Sequence, residues 1–498
     1  MTGEAKNNVF ILLGCLVLSF VFFSNGIGGD FVYDDVWVIK SNPTLKQFSS
    51  IGGQFLLPYH YQQPNTGIYR PLTLISFILN FLAGDRAFVF HVTNIVLYGL
   101  NIFLVFLLIK KLFKSRRLAI LSSLFFFFLP IHVEAVTSIV GRAELLSSLF
   151  SLLTVLLFFK GRYFVASLAF ICALFSKESS IMILPIIFFW SIVTKKSSFK
   201  QTIFQSTYLF GATIIYFIFR YLALGRFIFS SESSFVYNPI LYVDFWPKVL
   251  TALKVLVIYF EHTFIPLKLA ADYSFDQIKI VNSLANIYPW LGVMILTVFF
   301  WLVLSRRFRS SPLAFGYLLF LCAYIIVSHF FLPLGTIMAD RLFFFPSVGL
   351  AVIIAFVFDR LVVAGDRAKV VLVTALTVIV CWYGWLILER NKIWANTGFL
   401  YQDMVRKSPQ SVHAKSLLGA YLIQEGHWPE GKKLLEESYT TYPNHLITLN
   451  SLGIFAQYER RLKDAEIFYQ KAVELRPTYT PARNNLERIR KILYGDKE

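Results

Sequence analysis

The sequence predicts an all-α protein, a polytopic membrane domain followed by a short helical solenoid. Three observations predict it. Apolar residues fill 56% of the 498 positions and charged residues only 15%, a balance that excludes the soluble globular class. Many apolar runs approach or exceed the roughly 20 residues that a membrane-spanning helix needs. After Trp394 the chain turns polar and charged, and Pro409, Pro443 and Pro477 recur every 34 residues.

Spans are expected near residues 8–24, 87–109, 118–130, 144–159, 163–176, 180–194, 202–224, 286–304, 312–331, 342–358 and 369–388. The run 246–265 is apolar too, but it holds Lys248, Lys254, Glu261 and His262, with Pro247 and Pro266 near its ends. Each charge at mid-bilayer would cost about 2.5–3.5 kcal/mol, so this run is expected to be interfacial or re-entrant. The stretch from Pro71 to Leu82 reads the same way. The N-terminal apolar run lacks a small-residue cleavage site and is read as an uncleaved first span.

The net charge of +18 does not indicate a nucleic-acid partner. Its basic residues gather in short connectors such as Lys110-Lys111, Arg116-Arg117, Lys195-Lys196 and Arg306-Arg307, which is the positive-inside pattern. With a cytoplasmic N-terminus and eleven spans, all these connectors fall inside. The long polar loops and the tail then share the extracytoplasmic side. The four cysteines lie within apolar runs without paired spacing, which speaks against disulfides and against zinc.

The chemistry-bearing residues collect in those outer loops. Directly after the first span comes Gly29-Asp30-Phe31-Val32-Tyr33-Asp34-Asp35, two adjacent carboxylates at a lipid boundary. Taken alone the pair also fits a solvated turn or a helix cap. Four further groups shift the balance: Tyr69-Arg70-Pro71, the block from Pro130 through His132 and Glu134 to Arg142 and Glu144, Ser176-Lys177-Glu178, and Ala339-Asp340-Arg341. Arg70, Arg142, Lys177 and Arg341 are candidate phosphate-binding cations, and a carboxylate beside them can take a proton from an attacking hydroxyl. Singly, each cation also fits snorkelling or pairing with Glu134, Glu144, Glu178 or Asp340. His132 and Glu134 stand two apart and would not face one metal on a helix, so no protein-bound metal is expected.

In the tail, Gly419 and Gly453 share the 34-residue period, and Ala465, Tyr469 and Ala472 occupy the small, aromatic and small positions of a tetratricopeptide repeat. Two units are expected, about 412–445 and 446–479, with a capping helix over 480–494. Domains are accordingly drawn at 1–390 and 391–498. Such solenoids hold peptides or partner proteins on a concave face.

Taken together, Phe31-Val32-Tyr33-Asp34-Asp35, Asn42-Pro43, Tyr69-Arg70-Pro71-Leu72-Thr73, His91-Val92-Thr93-Asn94, the Pro130–Leu146 block, Ser176-Lys177-Glu178, Asp272-Tyr273-Ser274 and Ala339-Asp340-Arg341 resemble the transmembrane and tetratricopeptide-repeat family of protein O-mannosyltransferases. The resemblance covers nearly the whole chain. It implies a GT-C membrane fold and inverting transfer of mannose or a similar hexose from a polyprenyl-phosphate donor to Ser/Thr hydroxyls of extracytoplasmic proteins. It implies Asp34 as general base, with Asp35 orienting the acceptor or the base. Arg70, Arg142, Lys177 and Arg341 would hold the donor phosphate, and His132, Glu134, Glu144, Glu178, Asp272 and Asp340 would line the pocket. No tightly bound cofactor is implied, and a divalent cation at the donor phosphate stays open. Membrane lipids, the lipid-linked sugar and an acceptor protein or peptide held by the repeats are the expected partners. Only about two repeats follow the membrane domain, which suggests a short, bacterial relative in an inner or plasma membrane. Two other readings remain open from the residues: a non-enzymatic scaffold whose repeats recruit proteins, and transfer onto a glycan or lipid.

Overall fold

The computed structural model of the chain describes residues 3–61, 66–194, 198–227, 234–304, 308–330, 334–363 and 366–495. Among the described residues every regular element is helical, as the sequence predicts. The connectors Lys195-Lys196 and Arg306-Arg307 lie outside the described residues.

Each expected span falls on a helix, but the helices differ in reach. Among the described residues six are long and apolar enough to cross a membrane: Gly3–Gly26, Ala87–Phe113, Ile139–Phe158, Phe199–Leu224, Asp340–Val363 and Lys369–Ile393. They mark an integral membrane protein. The run expected at 118–130 is bent: Arg116–Phe127 and Pro130–Thr137 meet at 59°, as a broken span or re-entrant loop would. The runs expected at 163–176, 180–194 and 312–331 form the shorter apolar helices Tyr163–Ser176, Glu178–Val193 and Pro312–Val327, and the run at 286–304 forms the helix Ile287–Leu304. At 1.5 Å per residue, a helix of about 15 residues reaches little more than 20 Å, short of the roughly 30 Å hydrocarbon core. By length and composition the spans among the described residues therefore number six, or seven with the bent pair, where hydropathy runs alone suggest eleven. The charged run at 246–265 forms the helix Phe245–Phe264 and is not in that set.

Local sequence explains where several helices begin. Ser115, Ser198, Ser311 and Ser411 each accept a hydrogen bond from the backbone N–H three residues on. Each satisfies one of the orphan donors of a first helical turn. Lys114, left-handed at φ +54°, ends the Ala87–Phe113 helix. Phenylalanine supplies much of the packing between helices. Phe55, Phe175 and Phe219, for example, meet edge to face with centroids 5.3–6.0 Å apart.

Between the Ala87–Phe113 helix and the rest, the Pro130–Gly141 segment is irregular yet wholly buried. Unpaired backbone at that depth is costly, so its polar groups need protein partners. Asn94 supplies them: its Nδ2 donates toward the carbonyls of Val136, Ser138 and Ile139 at 3.1–3.3 Å. Gly141 lets the segment fold back on itself, since a Cβ there would stand 2.4 Å from the Ala135 carbonyl oxygen. Gly141→Ala is expected to force this backbone apart and to destabilise the membrane domain by about 1–3 kcal/mol or more. Thermal unfolding in detergent checks it; an unchanged melting temperature would refute the tight crossing.

The tail helices Val412–Gln424 and Trp428–Thr441, then Leu446–Tyr458 and Leu462–Leu475, fall pairwise within the two expected 34-residue units, and Thr480–Tyr494 follows. Gly453 sits against the Tyr469 ring, where a Cβ would stand 2.4 Å from Cε1. The boundary drawn at 390 falls inside the helix Asp366–Ile393, and a further helix, Thr397–Lys407, precedes the pairs. Trp394, fully buried, lies at that junction.

Candidate active site

Adjacent in sequence, Asp34 and Asp35 part company in space. The Asp34 side chain stays 38% exposed and meets Arg341, Nη2 to Oδ2 at 3.2 Å. Asp35 is fully buried and accepts from the backbone N–H of Val140 at 2.8 Å and of Val32 at 3.3 Å. It thereby ties the first loop to the turn before Arg142. Burial pushes its carboxyl up to about 7 against the lowering pull of the Val140 and Val32 amides, with the neighbouring Asp34 charge adding to the rise. Tyr33, just before the pair, holds a left-handed φ of +54°, a strained conformation for an aromatic residue.

Arg341 is the hub. It sits in the short turn Asp340–Phe343, ahead of the Phe344–Val363 helix. Glu134, fully buried, accepts from its guanidinium Nη1 at 2.6 Å and from its backbone N–H at 2.9 Å. The buried segment thus fixes both ends of the arginine and leaves one arm for Asp34. A second pair stands nearby: Arg70 Nε and Nη2 donate to Glu178 at 3.0 and 2.6 Å, a bidentate fork. The Arg70 guanidinium also lies 5.3 Å from the Tyr59 ring centroid. His60, from the same loop, feels the charges of Asp34, Arg70, Arg341 and Glu178 together. Close packing around its partly exposed ring lowers it to about 4.

The remaining expected residues divide. Lys177 pairs with Glu144, both buried. They line a cavity of about 10 Å³, with Leu342 and Pro346 on its wall, room for one water molecule. Arg142 stands apart from any opening. It donates to Asn94 Oδ1 and to the Ser76 and Phe90 carbonyls, stacks over Phe77 at 4.7 Å, and is fully buried. That is the setting of a structural arginine bracing three helices rather than one presented to a phosphate. His132 is enclosed as well, bonded to Tyr98 and to Ser347 and packed on Phe126 and Phe344.

Asp272 and Asp340 anchor the tail. Asp272 accepts from Ser274 Oγ at 2.8 Å and Ser411 Oγ at 2.5 Å, while its carbonyl accepts from Ser408. Asp340 accepts from Tyr273 Oη at 2.9 Å and lies 3.3 Å from His262 and 3.9 Å from Arg390. Arg390 in turn holds Asp403 at 3.2 Å. From the tail, His413 Nε2 comes within 3.4 Å of the Tyr33 hydroxyl, one residue from Asp34. His60, His413 and Arg390 escape motif reading. The signals for them were slight: an aromatic triplet, Tyr59-His60-Tyr61, ahead of Arg70, and the charged run Glu389-Arg390-Asn391-Lys392 at the last span's end. Among the described residues no group of three or more His, Cys, Asp or Glu is placed to hold a metal ion.

No family model matches the chain. Curated relatives bear out the resemblance. A protein O-mannosyl-transferase of Caenorhabditis elegans, F38B6.6, is 25% identical over 446 residues, covering 86% of this chain and 62% of its own. Human protein O-mannosyl-transferase TMTC1 is 24% identical over 500 residues, covering 86% of this chain and 55% of its own. The chain thus spans little more than half the length of the curated relatives it matches. Among solved structures, the archaeal oligosaccharyltransferase AglB from Archaeoglobus fulgidus overlaps 88% of this chain and 60% of its own at 12% identity, with a TM-score of 0.45.

Proposed function

We propose that this chain, similar to protein O-mannosyltransferases, is an integral-membrane glycosyltransferase. It moves mannose or a similar hexose from a polyprenyl-phosphate donor to a serine or threonine hydroxyl. One observation carries the reading: a half-exposed carboxylate, Asp34, stands 3.2 Å from an arginine that a buried glutamate fixes from behind.

In the proposed reaction the acceptor hydroxyl attacks the anomeric carbon as Asp34 takes its proton. The bond from that carbon to the phosphate oxygen breaks, its electron pair leaves with the polyprenyl phosphate, and the anomeric configuration inverts. Arg341 and Arg70 offset the charge gathering on the leaving phosphate. Each is held in place by a carboxylate, Glu134 or Glu178, so each is aimed before substrate arrives. Lys177 adds positive charge from behind, while Asp35 and Arg142 hold the backbone that carries the site. The tail helices would offer the acceptor, on the extracytoplasmic side, to the Asp34 face.

Purified protein in nanodiscs, given polyprenyl-phosphate mannose and serine- or threonine-rich peptides, tests this directly. Mass spectrometry should find hexose on peptide hydroxyls. Donor consumption with no peptide product would instead point to a glycan or lipid acceptor. No consumption of any polyprenyl-phosphate sugar, even with secreted proteins added, would favour the scaffold reading. Arg70→Gln is expected to raise the donor KM about tenfold or more, since a charge-assisted hydrogen bond is worth about 1.5–3 kcal/mol. A fall in kcat alone would place Arg70 elsewhere in the reaction.

A further inference from the structure

Away from the Asp34 cluster, a groove of about 660 Å³ opens where the last span ends. One wall is the turn Pro266, Leu267 and Leu269. The other joins the end of Lys369–Ile393 to the Thr397–Lys407 helix. Its lining is sorted by chemistry. Trp385, Leu386 and Phe399 give an apolar side, with Trp385 and Phe399 more than half exposed. Arg390, Lys392, Arg406 and Lys407 give four cations against two acids, Glu389 and Asp403. None of Asp34, Arg70, Lys177 or Arg341 lines it.

We infer that this groove binds the phosphate head of an anionic bilayer phospholipid, with the first part of its acyl chains along the apolar side. Three features argue for that occupant. The charge surplus is positive, and it sits at the end of an apolar span, where a bilayer's phosphates lie. The exposed tryptophan and phenylalanine suit a surface that is half lipid and half water. The third is Arg390, 6% exposed among the lining residues. Its Nη2 makes no hydrogen bond and stands 3.9 Å from Asp340 Oδ2, itself without a hydrogen-bond donor. Buried without a hydrogen bond, that arm leaves the guanidinium's charge incompletely offset at the groove wall, and a phosphate in the groove balances it. The bound head would also tie the Thr397–Lys407 helix to the last span through Arg390 and Asp403.

The test uses the full chain and does not depend on transferase activity, so it can fail or succeed apart from the proposed reaction. Delipidated protein is offered phosphatidylglycerol or phosphatidylcholine and examined by native mass spectrometry and thermal unfolding. The wild type is expected to retain one phosphatidylglycerol tightly and to melt several degrees higher with it. Lys392→Gln/Arg406→Gln/Lys407→Gln should weaken that retention at least tenfold. Lys433→Gln/Arg460→Gln/Lys463→Gln removes as many charges from the tail surface and should change nothing. Phe399→Asp, a single exposed substitution, should also expel the lipid and serves if the triple variant does not fold. Equal retention of both lipids, or equal retention by wild type and variants, would overturn the inference. So would displacement of the phospholipid by polyprenyl phosphate, which would give the groove to the donor.

Discussion

Asp34→Asn is expected to lower sugar transfer by about 10²–10⁴-fold, the usual contribution of a positioned general base. Asparagine fills the same space but cannot hold the acceptor's proton. Stability should barely move. The residue is 38% exposed and its ion pair with Arg341, at 3.2 Å, is only partly shielded, and such pairs contribute about 0–1 kcal/mol. The split is the diagnostic: kcat falls, donor KM stays near wild type, and the melting temperature is preserved. Asp34→Glu, which keeps the base but moves it by a methylene, should recover part of the rate. Near-wild-type turnover in Asp34→Asn would remove the residue from the base role.

Arg341→Gln should do the opposite kind of damage, to fold and reaction together. Glu134 is fully buried, and among the described residues the arginine provides its only charged partner at hydrogen-bond distance. Removing one member of a buried pair leaves an uncompensated charge, a loss of about 3–5 kcal/mol. The double variant Glu134→Gln/Arg341→Gln removes both charges and should regain much of the stability while staying inactive. That separation identifies Arg341 as a group acting on the substrate as well as a structural partner. If the double variant regained activity along with stability, the arginine would be purely structural. A double-mutant cycle in thermal unfolding, run beside transfer assays, measures both.

Hydropathy made the helices legible because burial in lipid demands long apolar runs, and each run expected from the sequence does fall on a helix. It could not rank them by reach, because a 14-residue apolar helix such as Tyr163–Ser176 and a true span share the same composition. The site was legible as a set of charged motifs but not in its geometry. Nothing in the sequence separates Arg142, fully buried and bonded to carbonyls, from Arg341, which keeps an arm at the opening. The same holds for Asp34 and Asp35, neighbours in sequence that meet opposite surroundings. Such distinctions depend on partners far off in sequence. Val140 lies 105 residues beyond Asp35, and Arg341 lies 307 beyond Asp34. Local pattern carries no information about either.

The contact between Tyr33 and His413 spans 380 residues of chain. During synthesis the loop that bears Asp34 is made hundreds of residues before the helix that steadies it. The early loop therefore waits, lacking one of its supports, through the insertion of every later span. A nascent chain halted just before the Val412–Gln424 helix would hold the segments made up to that point but not the contact that steadies the Asp34 loop.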